Sequence, residues 1–154
     1  MIDRLFRLFD PREGQAVDPE EKLKVAVAVI LLEVAHADRS FEPLEARLID
    51  GDLASRFGLT PEEVRELVDR AELKRQESLD LHQFTRQLNR HLSLEEKLQV
   101  MEAVWELIYA DGELDRYEDA LARQLAGLLH LSPRQAADVK VRVLDRIDPD
   151  RLRQ

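Results

Sequence analysis

The residues best suited to chemistry are carboxylates grouped at two places in the chain. Residues 106–118 end an apolar segment, pass through a short acidic turn and begin a second segment, and residues 33–45 repeat this pattern at a constant offset. Such a repeat indicates that one helical hairpin is used twice. The candidate metal ligands are Glu106, Asp111, Glu113, Asp115 and Glu118 in the second turn, and Glu33, Asp38, Glu42 and Glu45 in the first, weaker turn.

Helix capping explains some of these carboxylates. Asp115 and Glu118 have the spacing of a capping box, and the helix dipole favours acidic side chains in the first turn of a helix. Glu42 and Glu45 stand in the same places around Pro43, although Glu is a poorer cap than Asp or Ser.

Other carboxylates need a positively charged companion. Asp38 and Asp111 come at the end of a helical segment, where the dipole disfavours negative charge. Glu33 lies in a nearly continuous apolar run, where an unpaired charge is costly. A bound cation or a nearby arginine would satisfy them. The arginines close in sequence are Arg39, Arg47, Arg116 and Arg123.

A cation bound at these turns would be Ca²⁺, Mg²⁺ or Mn²⁺, because every ligand is an oxygen atom. Residues 111–115 have the spacing that opens an EF-hand loop, but Arg116 stands where that loop needs Gly and Ala122 where it needs Glu. An EF-hand is therefore excluded. The second turn is the stronger candidate, because the first turn has Arg39 and Ser40 where the second has Gly and Glu.

The chain offers little other reactive chemistry. It contains no Cys, which excludes disulfides and zinc–thiolate sites. His36 follows Glu33 by one helical turn and is interpreted as a helix-end side chain with a half-buried ring. Neither a glycine-flanked Ser nor a Gly-rich phosphate-binding loop is present. We therefore expect a protein that is not an enzyme and that uses no organic cofactor.

Charge and hydropathy limit the partners. The 154 residues include 23 basic and 32 acidic ones, and the net charge of −9 repels nucleic acid and anionic membranes. The longest apolar run, residues 25–32, is far shorter than the ~18 residues that a membrane span needs. No secretory signal is recognisable at the start of the chain. We expect a cytoplasmic protein without nucleic-acid binding or membrane insertion.

Helix-start signals recur along the chain, and sustained alternation typical of strands is missing. The cap pairs are Asp18 with Glu21, Thr60 with Glu63, Asp80 with Gln83, Ser93 with Glu96, Asp115 with Glu118 and Ser132 with Gln135. They predict helices over 18–37, 43–57, 60–75, 80–91, 93–110, 116–130 and 132–147. The fold class is therefore all-α.

We predict a single-domain bundle of about seven helices with an internal pseudo-repeat of three-helix units, joined by the helix over 80–91. The helical domain occupies residues 18–147, and residues 148–154 form a C-terminal tail. The helix over 18–37 is apolar almost all round, which predicts a central, buried position. Trp105 lies on an apolar stripe and is expected in the core.

Residues 1–17 are predicted to be a short N-terminal amphipathic helix followed by a linker. Arg4 and Arg7 lie opposite its apolar face. That face either covers an open edge of the core or contacts a membrane surface or a protein partner. A homodimer formed through this face is a further alternative. The apolar face consists of Ile2, Leu5, Phe6 and Phe9.

Residues 109–118 and their copy at 36–45 carry a resemblance to a known family. Over roughly residues 18–145 the chain resembles the tellurite-resistance TerB-like family and, more distantly, the N-terminal domain of membrane-anchored J-protein co-chaperones. The resemblance implies an all-α fold of about seven helices whose acidic turns coordinate divalent cations. By position it carries the ligand role onto Asp111 and Glu118, and onto Asp38 and Glu45.

The resemblance also implies a role in bacterial stress response without a defined catalytic activity. We therefore expect a non-enzymatic divalent-cation-binding or regulatory module. The alternative is a metal-independent protein-interaction module, a co-chaperone-like adaptor whose acidic turns are neutralised by arginine side chains.

Overall fold

A computed structural model describes residues 18–37, 41–77, 80–110 and 116–147 of the chain. The predicted N-terminal helix and linker at 1–17 and the tail at 148–154 lie outside these ranges, so both stay predictions.

The described residues form seven α-helices and no strand, which confirms the all-α prediction. The predicted helix ends agree with the observed ones to within two residues, because capping residues mark most of the starts. The helices are α1 (Pro19–Ala35), α2 (Pro43–Phe57), α3 (Pro61–Glu77), α4 (Leu81–His91), α5 (Leu94–Ile108), α6 (Arg116–Leu128) and α7 (Pro133–Ile147).

Reciprocal capping boxes begin α3, α5 and α7. At α5 the Ser93 hydroxyl accepts from the Glu96 backbone N–H at 3.1 Å, and the Glu96 carboxylate accepts from the Ser93 backbone N–H at 2.9 Å. Equivalent pairs of bonds begin α3 at Thr60 and α7 at Ser132. These side chains satisfy backbone donors that the first turn of a helix leaves without partners. Asp18 caps α1 differently, by accepting from the Glu20 backbone N–H.

Helix α1 is the centre of the bundle, as its apolar sequence predicts. Its residues from Ala26 to Leu32 are all buried, and it packs mainly on α3 and α4, then on α5, α2 and α6. Helix α5 contributes the next largest part of the core, including the buried Trp105. Helix α4 joins the two halves and buries Phe84 and Leu88 against this centre.

The pseudo-repeat is visible in the packing. In the first unit α1 packs on α3, and in the second unit α5 packs on α7, so the first and third helices of each unit form its main contact. The two units meet through their first helices, α1 and α5.

None of the helices in the described ranges combines the length and apolar composition that a membrane span requires.

The second helix of each unit is followed closely by a residue whose backbone adopts the left-handed conformation. Gly58 has a φ of 64° after α2, and His130 has a φ of 62° after α6. In both cases the next residue satisfies a carbonyl of the last helical turns. The backbone N–H of Leu59 donates to the Ala54 carbonyl, and that of Leu131 donates to the Ala126 carbonyl, each at 3.0 Å. Glycine adopts this conformation without strain, whereas histidine carries a steric penalty there.

This difference predicts opposite effects of substitution at the two helix ends. His130→Gly should raise the free energy of unfolding by up to about 1 kcal/mol, because the strain at a positive φ disappears. Gly58→Ala should lower it by about 1 kcal/mol for the converse reason. Urea denaturation followed by circular dichroism measures both. A destabilising His130→Gly would show that contacts of the imidazole ring outweigh the backbone strain.

Candidate cation site at the acidic turns

The structure describes five of the nine predicted ligands. They lie at the ends of the first helices and the starts of the second helices of the two units. The described ligands are Glu33, Glu42, Glu45, Glu106 and Glu118. The other four predicted ligands, and the apolar face predicted near the N-terminus, lie outside the described residues. They are Asp38, Asp111, Glu113 and Asp115, and Ile2, Leu5, Phe6 and Phe9.

Glu45 and Glu118 are the most buried carboxylates of the described chain. Their residues are only 8% and 5% exposed, and they occupy equivalent positions in α2 and α6. A Glu45 carboxylate oxygen accepts from the Glu42 backbone N–H at 3.3 Å. A buried carboxylate needs such donors or a positive charge, since its loss of hydration is otherwise costly. The position near a helix N-terminus supplies part of that compensation through the dipole.

Glu33, at the end of α1, belongs to a network that joins α1 to α3. Arg75 of α3 donates to the Glu33 carboxylate at 3.3 Å. The same guanidinium donates through two of its nitrogens to Glu72, at 3.3 and 3.2 Å. A Glu72 oxygen also lies 3.0 Å from Nε2 of His36. The positive companion that the apolar setting of Glu33 predicts is therefore an arginine from the third helix of the unit.

The charges in this network shift the pKa values of its members. Burial alone would raise the pKa of Glu72, but hydrogen bonds and charge from Arg75, together with His36, hold it below its ordinary value. Burial would lower the pKa of Arg75, whereas its bonds to Glu72 and Glu33 raise it. Both shifts favour the charged forms, so the ion pair stabilises the contact between α1 and α3.

Glu106 has an equivalent companion in the second unit. Arg146, in the last turn of α7, pairs with the Glu106 carboxylate and lies 4.0 Å from that of Glu102. Arg142, one turn earlier, lies 3.9 Å from Glu102. In both units, a basic residue near the end of the third helix neutralises the glutamate near the end of the first.

The arginines that pair with Glu33 and Glu106 lie about forty positions away in the sequence. They are not among the nearby candidates Arg39, Arg47, Arg116 and Arg123, which stay predictions for the turn carboxylates outside the described residues. The repeat itself carried the missing signal, because Arg75 and Arg146 both lie in the last turn of a third helix.

The glutamates of the two networks differ in the direction of their pKa shifts. Burial, the largest cause, raises the pKa of Glu106; Arg146 and Arg56 act in the opposite direction, and Asp52 and Glu102 add to the rise. The loss of hydration at Glu106 therefore outweighs the attraction of its arginine partner.

Aromatic rings accompany both helix ends. The imidazole of His36 stacks on the Phe41 ring with centroids 4.6 Å apart, and its side chain is half-buried, as predicted. At the equivalent position Tyr109 stacks on Trp105 at 5.9 Å. The ammonium group of Lys140 lies over the Trp105 ring, 5.0 Å from its centroid. The first helix of each unit therefore ends beside a contact between stacked rings.

Within the described ranges, no three acidic or histidine side chains lie close enough together to hold a metal ion. A complete ligand set at either turn therefore requires residues from 38–40 or 111–115, which the structure does not describe. What the described residues supply is one buried carboxylate beside each turn, from Glu45 and from Glu118.

The Arg75 network predicts a pH-dependent stability. Arg75→Gln should lower the free energy of unfolding by about 1–2 kcal/mol at neutral pH, because Glu33 and Glu72 lose their partner. The folded-state pKa of Glu72 lies below the unfolded value near 4.5. The contribution is therefore complete above about pH 4.5 and is lost as the pH falls through the lower folded value.

Denaturant unfolding between pH 3 and pH 7 measures this effect, and the difference between variant and parent should shrink toward the acidic end. Arg86→Gln, at an exposed position of α4, is the matched control and should change little at any pH. A loss of stability by Arg75→Gln that is constant over this range would contradict the ionic origin of the contact.

Comparison with known proteins supports the fold and identifies the family. A protein of unknown function from Porphyromonas gingivalis has a similar crystal structure, with a TM-score of 0.57 and 19% sequence identity over 79% of this chain and 95% of that chain. At this identity the likeness concerns the fold alone. No curated protein matches the chain significantly. The family model of the tellurite resistance protein TerB matches residues 24–141, a range that includes both acidic turns. The chain therefore belongs to the TerB family of tellurite resistance proteins.

Proposed function

We propose that this protein is a non-enzymatic module that binds a divalent cation at its acidic turns, the second turn above all. The observation that carries the proposal is the burial of Glu45 and Glu118 at equivalent positions beside the two turns. Each turn is thereby flanked by a protected carboxylate, and carboxylate oxygens are the ligands that Ca²⁺, Mg²⁺ and Mn²⁺ prefer.

The ligands proposed at the second turn are Glu118 together with Asp111, Glu113 and Asp115. All supply oxygen atoms, which suit Ca²⁺, Mg²⁺ or Mn²⁺. Glu106 is a weaker candidate, because Arg146 already pairs with its carboxylate. At the first turn Glu33 is weaker than Glu45 for the same reason, since Arg75 donates to it.

A cation at the second turn would connect the end of α5 to the start of α6. It would stabilise the folded chain by mass action, so the occupancy of the site would follow the cation concentration. Regulation would then consist of a change in the stability of the contact between α5 and α6 with the cation concentration. Membership of a tellurite resistance family supports a place in a bacterial stress response.

The experiment is a thermal unfolding series with Ca²⁺, Mg²⁺ and Mn²⁺. A cation at about 100 times its dissociation constant adds about 2.7 kcal/mol, which corresponds to a rise of roughly 5–10 °C in Tm for a chain of this size. Asp111→Asn combined with Glu118→Gln should abolish the rise.

The matched control is Asp69→Asn combined with Glu62→Gln, which makes the same change of charge at two exposed positions of α3. This control should keep the whole rise in Tm. An unchanged Tm of the parent protein with all three cations would contradict the proposal. Equal rises in the two double variants would place the cation elsewhere.

A second function, a metal-independent protein-interaction module of the adaptor type, is favoured by exposed apolar side chains at the same turns. Leu44 and Tyr117 precede the two buried glutamates, and they are 44% and 64% exposed. Phe41 is exposed beside Leu44. Large apolar side chains that remain exposed at equivalent places of a repeat are typical of a contact surface.

A second copy of the chain is the simplest partner to test. If the turns form a dimer contact, Leu44→Ser combined with Tyr117→Ser should shift sedimentation from dimer to monomer without changing Tm. Leu73→Ser, at an exposed position of α3, is the control and should leave the association unchanged. A parent protein that sediments as a monomer at all concentrations would contradict this form of the interaction.

A further inference from the structure

Two stretches of the chain contain no acidic residue, although the sequence has 32 of them. Residues 81–94 cover α4 and the turn after it, and residues 120–137 cover most of α6 and the start of α7. Together the two stretches contain four arginines and three of the four histidines. In a chain with a net charge of −9, this distribution concentrates positive charge on two segments.

The fold brings these two segments together. The side-chain amide of Asn89, in the last turn of α4, donates to the Leu128 backbone carbonyl at the end of α6, at 2.9 Å. The Lys97 ammonium group donates to the Asn89 side chain at 3.2 Å and to the Leu129 carbonyl at 3.1 Å. The end of α4, the first turn of α5 and the end of α6 therefore meet at one place of the bundle. The second acidic turn follows the opposite end of α5, roughly 20 Å away along a helix of this length.

The exposed side of α4 presents a basic stripe, which consists of His82, Arg86 and Arg90. These three residues are spaced four positions apart and are all exposed, whereas Phe84 and Leu88 on the other side of the helix are buried in the core. Four residues advance ~6 Å along a helix, so the stripe is about 12 Å long and its two guanidinium groups are one helical turn apart.

The charges of the stripe are not neutralised by the chain itself. Among the residues that the structure describes, neither Arg86 nor Arg90 forms an ion pair. Helix α4 packs mainly on α1 and α6, and carboxylates of those two helices pair with other basic residues. They are Glu20, Glu21 and Glu33 of α1 and Asp119 of α6. The two arginines of the stripe therefore remain available to a negatively charged partner.

The stripe and its surroundings define the chemistry of that partner. Carboxylates about 6 Å apart fit the two guanidinium groups, and this is the spacing of acidic residues four positions apart on a helix or two apart on an extended segment. Each carboxylate can accept two parallel N–H bonds from one arginine. A nucleic-acid duplex or an anionic membrane presents negative charge over a wider area than the stripe, so the acidic surface of the rest of the chain would repel it. A short acidic segment meets the stripe alone.

We propose that the basic stripe on α4 docks a short acidic segment of a protein partner, with Arg86 and Arg90 each binding one carboxylate. The contact is mainly ionic, since the apolar side chains of this helix face the core. Such a contact forms rapidly and is weakened by salt. The inference does not depend on cation binding at the acidic turns, and it concerns a surface other than the apolar side chains beside those turns.

The probe is a short poly-glutamate peptide that carries an uncharged fluorescent label. Its binding to the full-length chain is followed by fluorescence anisotropy at low salt, about 20 mM NaCl. Arg86→Gln combined with Arg90→Gln should weaken binding at least tenfold, because both charge-assisted contacts are lost. Raising the NaCl concentration to about 0.5 M should abolish binding to the parent chain, because salt screens an exposed ionic contact.

The matched control is Arg65→Gln combined with Arg70→Gln, which makes the same change of charge at two exposed positions of α3. Arg70 already pairs with Glu21 at 2.9 Å, and the positive charge of Arg65 acts on Asp50. This control should change the affinity for the peptide less than twofold. Circular dichroism of each variant before the titration confirms that the compared chains have the same fold.

No binding of the peptide to the parent chain at low salt would overturn the proposal. An equal loss of affinity in the two double variants would also overturn it, since net charge alone would then govern binding. Anionic phospholipid vesicles and a DNA duplex, titrated in the same way, should bind at least tenfold more weakly than the peptide. Tighter binding to either of them, lost on substitution of Arg86 and Arg90, would replace the protein partner by a membrane or a nucleic acid.

Discussion

The structure depends on the burial of one helix on all sides. Helix α1 is apolar around most of its circumference, so helices must cover it from several directions before it is removed from water. Helices α3 and α4 supply the largest part of that cover, and α5 joins the second unit to it. A glutamate near the end of such a helix cannot remain uncompensated. The Glu33–Arg75 contact is therefore a consequence of the packing, since the helix that covers α1 also brings the guanidinium.

The repeat places the same kinds of residues at the same places, but the two units have diverged electrostatically. In the first unit, Arg75 holds both Glu33 and Glu72, and the pKa of Glu72 falls. In the second unit, Arg146 pairs with Glu106, but burial raises the pKa of that glutamate, and the nearby Asp52 and Glu102 add to the rise. One internal symmetry of the backbone thus supports two ion-pair networks whose glutamates shift in opposite directions.

Each acidic turn is followed by a buried glutamate with an exposed apolar side chain directly before it in the sequence. Glu45 and Glu118 point into protected surroundings, while the residues just before them, Leu44 and Tyr117, stay exposed. Adjacent residues on a helix point in different directions, so one short segment can present a carboxylate to the turn and an apolar side chain to a partner. The cation binding and the protein contact proposed at these turns would therefore use different side chains.

The helices, their caps and the duplication of the hairpin follow from the sequence alone. These features depend on contacts within a few residues, such as the bonds between Ser93 and Glu96, and on the 3.6-residue period of the apolar positions. The apolar run around Glu33 also indicated that this residue needs a positive partner, because a charge in such a run is costly wherever the chain folds. The identity of that partner follows from the tertiary structure. Arg75 and Arg146 reach their glutamates because the third helix of each unit packs back on the first, and the sequence shows this long-range pairing only as a basic residue in the last turn of each third helix.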